Sequence, residues 1–354
     1  MTSRRGMVDR LLARSREDHV VVRSIAHRTV GLDLLRTVAC LLVVVFHMRT
    51  LLVVDFGPLN PIIEGGMSGV FVFFALSGYL IYKPFVRGDV DLRVYSIKRT
   101  ARILPGYYLA LVALAFLTGS PLPLEHPLPF LTITSSYDPP LREFLGIAWT
   151  LSAEILFYLL LPLTAKLVAG REILRLSMIG LASIVLAILH RLVLTDANIW
   201  LLGSLPLVAY AFIPGMILAV IEVKHASLFR RLGGHLPMVI GTALIVVGCL
   251  HLADPIAIPT VIGTALVMAW LVQHNVRGAR LLAFLSGASY AMYLWHRDLL
   301  LEFGVAGVLI AAIGSMISWA FIERPILDWG HRIAARLRPA EQVEAAAAPS
   351  PVRT

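Results

Sequence analysis

The chain has 354 residues, 58% of them hydrophobic and only 15% charged, with a mean hydropathy of +0.80. That balance excludes an ordinary soluble globular domain and places the chain among polytopic integral membrane proteins. The net charge of +9 follows from loop charges that set topology, and no basic, aromatic-interleaved surface is left that would read as a nucleic-acid interface.

Apolar windows near 31–54, 67–82, 104–119, 146–166, 176–194, 200–221, 236–252, 256–273, 281–296 and 303–322 predict an all-α fold of about ten transmembrane helices. With the N-terminus inside, 26 of the 31 Lys and Arg fall in inside segments, four fall outside (Arg49, Arg142, Arg191 and Arg297), and Arg36 lies within a span. The positive-inside rule then makes both termini cytoplasmic. The expected organisation is a basic cytoplasmic tail over 1–28, a membrane domain over 29–332, and an Ala/Pro-rich disordered cytoplasmic tail over 333–354. No small-residue cleavage site follows the first 28 residues, so the first span reads as retained. Cys40 and Cys249 lie in apolar spans without disulfide or metal-ligand spacing, and no metal is expected. Arg outnumbers Lys 27 to 4, the bias of a GC-rich bacterial source.

The first span, GLDLLRTVACLLVVVFHMRTLLVV, carries Asp33, Arg36, Cys40 and His47 on one face of a helix. An Asp or Arg at the centre of a membrane helix costs roughly 2.5 to 3.5 kcal/mol by insertion scales, so such a stripe needs a reason. Arg36 and His47 are separated by about 16 Å along the axis, half a bilayer. Headgroup pairing of Asp33 and Arg36, with His47 near the opposite surface, is the plain alternative to a functional stripe. The second span opens with GGMSGVFVFFALSGYLIY, whose glycines read as close helix packing.

In the next inside segment Lys98, Arg99 and Arg102 precede the third span. Arg99 and Arg102 share a helical face and could grip a phosphate or pyrophosphate; stop-transfer charge is the alternative, but the cluster and Arg36 lie on one membrane side. The Pro-rich stretch 120–145 is expected to be an ordered cap or entrance loop without a core of its own. The fourth span begins WTLSAEILFYLLLP and puts Glu154 one to two turns inside the outer boundary, where His47 or a donor Arg is its expected partner. Asp254 and Pro255 mark a tight outer turn. In the ninth span, SGASYAMYLWHRDLL, the run His296, Arg297 and Asp298 exceeds what interface anchoring needs. Glu323, Arg324 and Pro325 close the tenth span at the inner face.

Together these stretches resemble the membrane acyltransferase type 3 family, from about Gly31 to Asp328. The resemblance is carried by GLDLLR with His47 downstream, the GxxGVxxFFxLSGYLI segment, Arg99-x-x-Arg102 followed by Pro105 and Tyr107, WTLSAExxFYLLLP, SYAMYLWH and ERP, in that order. It implies a ten-helix enzyme of the inner (plasma) membrane that moves a short acyl group, usually acetyl, from cytosolic acetyl-CoA or another acyl-CoA to a hydroxyl. Implied acceptors are envelope polysaccharides, glycolipids or macrolide-like metabolites. The family's first-span Arg and His map onto Arg36 and His47, and its RxxR pair onto Arg99 and Arg102. On this reading Arg36, Arg99 and Arg102 bind the CoA phosphates, assisted by Lys98. His47 is the base, Glu154 orients it, and His296 is a second base or shuttle. An acyl-His intermediate and direct transfer both fit these residues. The rival reading is a transporter or flippase with a buried proton pathway. Such folds have two similar halves and broken helices, and neither is evident in the sequence.

Overall fold

Apolar runs of about 20 residues rise about 30 Å as helix, enough to cross the hydrocarbon layer while satisfying every backbone group internally. The computed structural model describes residues 30–88, 90–193, 204–250 and 257–337. The basic tail over 1–28, the Asp254–Pro255 turn and residues 338–354 lie outside the described residues. A helix occupies each of the apolar stretches, and no strand occurs among the described residues. In chain order these are α1 (Val30–Leu52), α2 (Ser68–Arg87), α3 (Leu92–Thr118), α4 (Trp149–Val168) and α5 (Glu172–Val193). They continue as α6 (Ile213–Lys224), α7 (His235–Leu250), α8 (Ile258–Gln273), α9 (Ala279–Phe303), α10 (Val305–Ser318) and α11 (Arg324–Arg336).

Local chemistry sets several of the ends. Asp91 caps α3 by accepting from the backbone N–H groups of Arg93 at 2.7 Å and Val94 at 3.1 Å. Gly88 and Gly119 stop α2 and α3 in the left-handed conformation, with φ of 79° and 65°. Six helical segments among the described residues are long and apolar enough to cross a membrane, or eight if each of two bent pairs is one span. The pairs bend by 45° between Leu205–Ala211 and Ile213–Lys224, and by 63° between Ala226–Leu232 and His235–Leu250. Broken helices are therefore present after all: Pro214 in the first turn of α6 and Gly233–Gly234 before α7 mark the two breaks. α8 is a shorter apolar helix, and α9, though 25 residues long, is too rich in Ser, Tyr and charge to count among the six.

Pairwise contacts give the helix directions. Gly66 and Gly69 of the α1–α2 connection and α2 meet Leu42 and Ala39 in descending order, so α1 and α2 are antiparallel. α2 runs parallel to α4, with Phe74 beside Trp149 and Ser77 bonded to Glu154. It also runs parallel to α6, where Gly215 lies against Ala75 and Glu222 against Tyr79 and Lys83. α7 and α8, like α9 and α10, are antiparallel neighbours. At the far end of the α2–α6 pair Lys83 Nζ sits 2.6 Å from Glu222 Oε1, a partly buried ion pair that also receives the Tyr79 hydroxyl.

The α2–α6 seam has no room for side chains. A Cβ at Gly78 would overlap the Phe212 carbonyl, and one at Gly215 the Ala75 carbonyl. Gly215→Val is therefore expected to lower the thermal midpoint in detergent by several degrees, since overpacking costs about 1–3 kcal/mol. Gly180→Ala, whose Cβ has Ile213 carbons at 3.4 Å as its nearest neighbours, should not lower it. Equal midpoints for the two variants would refute the backbone contact.

Between α3 and α4 the chain does not stay at the surface. The carbonyls of Phe130 and Leu131 accept from the hydroxyls of Tyr107 and Tyr108, each at 2.8 Å. Tyr107 lies eleven residues before the end of α3 at Thr118, about 16 Å down the helix. The segment thus folds back to mid-helix depth, burying Phe130, Phe144 and Leu145. Irregular backbone survives at that depth only where protein groups satisfy it. Ser152 Oγ donates to the Ile133 carbonyl at 2.6 Å, Arg297 donates to the Glu143 carbonyl at 3.1 Å, and the Leu145 N–H donates to Asp298 Oδ1 at 3.0 Å. Ile133 and Leu145, which make two of these bonds, hold positive φ of 60° and 53°, a conformation that side-chain-bearing residues keep only when their surroundings over-determine it.

Candidate active site

The polar face of α1 is turned toward α9, not toward lipid. Arg36 Nη1 lies 3.4 Å from Ser286 Oγ, Cys40 Sγ 3.5 Å from the Ser289 carbonyl, and His47 Nδ1 3.1 Å from His296 Nε2. The sequence offset is 250, 249 and 249, so the two helices are parallel and in register from Arg36 to His47. The stripe finds a reason in this seam, where Arg36, Cys40 and His47 each face a polar group of α9. Both imidazoles are deep: His47 is 8% exposed and His296 fully buried. Tyr293 packs on this pair, its ring centroid 5.9 Å from that of His296.

Beside the seam lies a cavity of about 130 Å³ bounded by α1, α2, α3, α4 and α9. Arg36, Arg99 and Arg102 line it, as do Glu154, Tyr158 and Tyr290, together with Phe73, Thr150 and Tyr293. Arg99 stacks over the Tyr158 ring at 5.8 Å, and its Nε is buried without a hydrogen-bond partner. Arg102 lies between the rings of Tyr290 at 5.6 Å and Trp319 at 5.4 Å. Aromatic faces thus hold both guanidiniums, a form of support that keeps their N–H edges available. Lys98 is adjacent on α3 and does not line the cavity.

Glu154 does not meet His47, the first of its two expected partners. It accepts from Ser77 Oγ at 2.7 Å and from the Tyr158 hydroxyl, and so faces the arginines across the cavity. The side chain that meets His47 is His296. Sequence spacing put Glu154 and His47 in one membrane half but could not show which face of α4 is turned inward.

Three contributors escaped the sequence reading. Tyr290 donates to the Ile103 carbonyl at 3.0 Å and stands under Arg102, although its position in SYAMYLWH reads as part of an aromatic belt. Tyr293 lines the cavity and is 3.1 Å from Thr150 Oγ1, closing it off from the imidazole pair. Glu323 sits 3% exposed in a π-helical turn, Trp319–Glu323, where Oε1 accepts from Ser318 at 2.6 Å and Oε2 is buried without a partner. An ionisable residue inside WAFIERP was the available signal. Among the described residues no group of three or more His, Cys, Asp or Glu could hold a metal ion.

A buried imidazole pair and a cation-lined cavity thus lie side by side inside a bundle of apolar helices long enough to cross a membrane, the class of a multi-pass membrane protein. Residues 29–324 match the acyltransferase 3 family model, described as an acyltransferase domain, and the chain belongs to that family. It is accordingly a multi-pass membrane enzyme, a transferase of acyl groups other than aminoacyl groups. Similar proteins include the exopolysaccharide production protein ExoZ of Rhizobium meliloti (strain 1021), 29% identical over 77% of this chain and 93% of its own. Nodulation protein 10 of Rhizobium leguminosarum bv. viciae is 25% identical over 76% of this chain and 84% of its own. YrhL of Bacillus subtilis (strain 168), whose name gives it provisionally as a peptidoglycan O-acetyltransferase, is 26% identical over 88% of this chain and 57% of its own. No solved structure matches.

Proposed function

We propose that the protein is an inner-membrane O-acyltransferase that takes an acetyl or other short acyl group from cytosolic acyl-CoA. The acceptor is a hydroxyl on a carbohydrate or glycolipid, the class favoured by the exopolysaccharide and peptidoglycan functions in the names of ExoZ and YrhL; a macrolide-like metabolite is the other candidate acceptor. The observation that carries this reading is the alignment of cationic cavity and imidazole pair along one seam. Arg36 and His47 are eleven residues apart on α1, a separation of about 16 Å. A pantetheine arm has the reach of about four residues of extended backbone, about 14 Å. Phosphates gripped by Arg36, Arg99 and Arg102 would therefore deliver the thioester to the level of His47.

Ten crossings with both termini cytoplasmic fit this arrangement. The pairings α1 with α9, and α2 with α4 and α6, have the directions that strict alternation requires, and the positive-inside bias puts the arginine end of the seam in the cytoplasm. Residues 29–332 form the membrane domain on this reading, between the tails over 1–28 and 333–354.

The chemistry needs a base for the hydroxyl and a proton for the leaving thiolate. His47 takes the hydroxyl proton while the oxygen bonds to the thioester carbonyl carbon. The C–S bond then breaks, and the proton on His47 passes to the departing sulfur. Ester and free CoA thiol are the products, and His47 returns to neutral. Tyr293, bonded to Thr150 across the path, is the side chain that must give way for the acyl end to reach His47. Glu154 holds Tyr158 beneath Arg99 and so positions the phosphate grip.

The test needs no knowledge of the acceptor. Thermal unfolding of detergent-purified protein with acetyl-CoA at 100 times its dissociation constant should show about 2.7 kcal/mol of stabilisation. A saturable shift is the expected result. Folded protein that responds to no acyl-CoA would overturn the donor assignment and return weight to the transporter reading.

A further inference from the structure

The proton arrangement of the imidazole pair is dictated by its neighbours. His296 Nδ1 faces the carbonyl oxygens of Tyr293 at 2.8 Å and Met292 at 3.1 Å. A carbonyl only accepts, so Nδ1 carries the hydrogen, and in a neutral ring Nε2 then bears a lone pair. That lone pair meets His47 Nδ1 at 3.1 Å, and His47 Nδ1 also lies 3.0 Å from the Val43 carbonyl. Both neighbours of His47 Nδ1 are acceptors. It therefore carries a hydrogen as well, shared between them.

We propose that His296 is a positioning residue that fixes His47 in the Nδ1–H tautomer, leaving His47 Nε2 as the one nitrogen of the pair that exchanges a proton during turnover. Protonating His47 at Nε2 preserves every bond described above. Protonating His296 at Nε2 would set one N–H against another and break the contact. The pair thus takes one proton, on His47, and His296 acts as the group that orients the base, the part a buried carboxylate plays in a Ser-His-Asp triad. This role rests on the reading of His47 as the base; the tautomer itself does not.

Two kinds of measurement test it on the full-length enzyme. In acyl-transfer assays His296→Leu should lower kcat by up to about 10⁴-fold, the loss seen when a catalytic histidine is deprived of its orienting partner, with KM for acyl-CoA unchanged. His296→Gln puts a carbonyl oxygen within reach of His47 Nδ1–H and should restore kcat to within about tenfold of wild type, an outer-shell loss. His296→Glu places a carboxylate there, which favours the imidazolium and should move the acid limb of the kcat/KM profile to higher pH. A Gln variant as inactive as His47→Ala, in folded protein, would show that His296 itself handles the proton and overturn the proposal. So would Leu and Gln variants that lose activity only in step with thermal stability.

The second measurement is the ring-nitrogen NMR of protein labelled with 15N-histidine in micelles. The signals lost in His47→Ala should report a protonated Nδ1 and a lone-pair Nε2; the reverse pattern refutes the tautomer whatever the reaction. If the predicted tautomer is found while wild-type protein transfers no acyl group, the functional reading fails and the positional assignment stands.

Discussion

Replacing His47 by alanine is expected to abolish acyl transfer in protein that still inserts and folds. A positioned general base contributes about 10²- to 10⁴-fold, and no other imidazole among the described residues lies within reach: His296 points its lone pair at His47 and its N–H at backbone carbonyls. The structural cost is smaller. Removing His47 leaves His296 Nε2 buried without a partner, worth about 1–3 kcal/mol. Acetyl-CoA should bind the variant as well as it binds wild type, because Arg36 stands about 16 Å away along α1 and Arg99 and Arg102 line the cavity from α3, with His47 not among its lining residues. Measured together, kcat for labelled acetyl transfer and the acetyl-CoA thermal shift separate these effects. Turnover at the wild-type rate in His47→Ala would remove His47 from the mechanism.

The double variant Arg99→Ala/Arg102→Ala should show the opposite pattern. Hydrogen bonds to charged groups contribute about 1.5–3 kcal/mol each, so loss of the pair is expected to weaken acetyl-CoA binding by roughly 10²- to 10⁴-fold. The acetyl-CoA thermal shift disappears accordingly. A donor without phosphates sharpens the test: S-acetyl-pantetheine keeps the thioester and the arm but gives the arginines nothing to grip. Wild type and double variant should use it equally well, and poorly. If the variant loses acetyl-pantetheine turnover to the same degree as acetyl-CoA turnover, the arginines serve the structure or the acyl centre instead of the phosphates. Fold integrity has a separate readout, since the stacking partners Tyr158, Tyr290 and Trp319 remain in place.

The cap between α3 and α4 shows why some features could be read locally and others could not. Its proline content and length predict an ordered element without a core of its own. Its depth could not be predicted, because the donors that satisfy its backbone, Tyr107, Tyr108, Ser152 and Arg297, come from three different helices. The broken helices near residues 212 and 233 are not legible from hydropathy alone. Hydropathy is nearly continuous across the first, LPLVAYAFIPGMIL, whereas the second follows Arg230 and Arg231 in a polar stretch that reads as an inside loop.

What the sequence determined by itself is whatever depends on periodicity and on the cost of charge in hydrocarbon. The helical class, the polar face holding Arg36, Cys40 and His47, and the Arg99-x-x-Arg102 face all follow from residue order and helix pitch. The tertiary structure decided the partnerships. It set α9 parallel to α1 at a constant offset, so that His296 and not Glu154 meets His47, and it turned Glu154 toward the arginines through Ser77 and Tyr158. Helix pitch fixes which residues share a face; only packing, through contacts such as the glycine seam of α2 and α6, fixes which face looks at which.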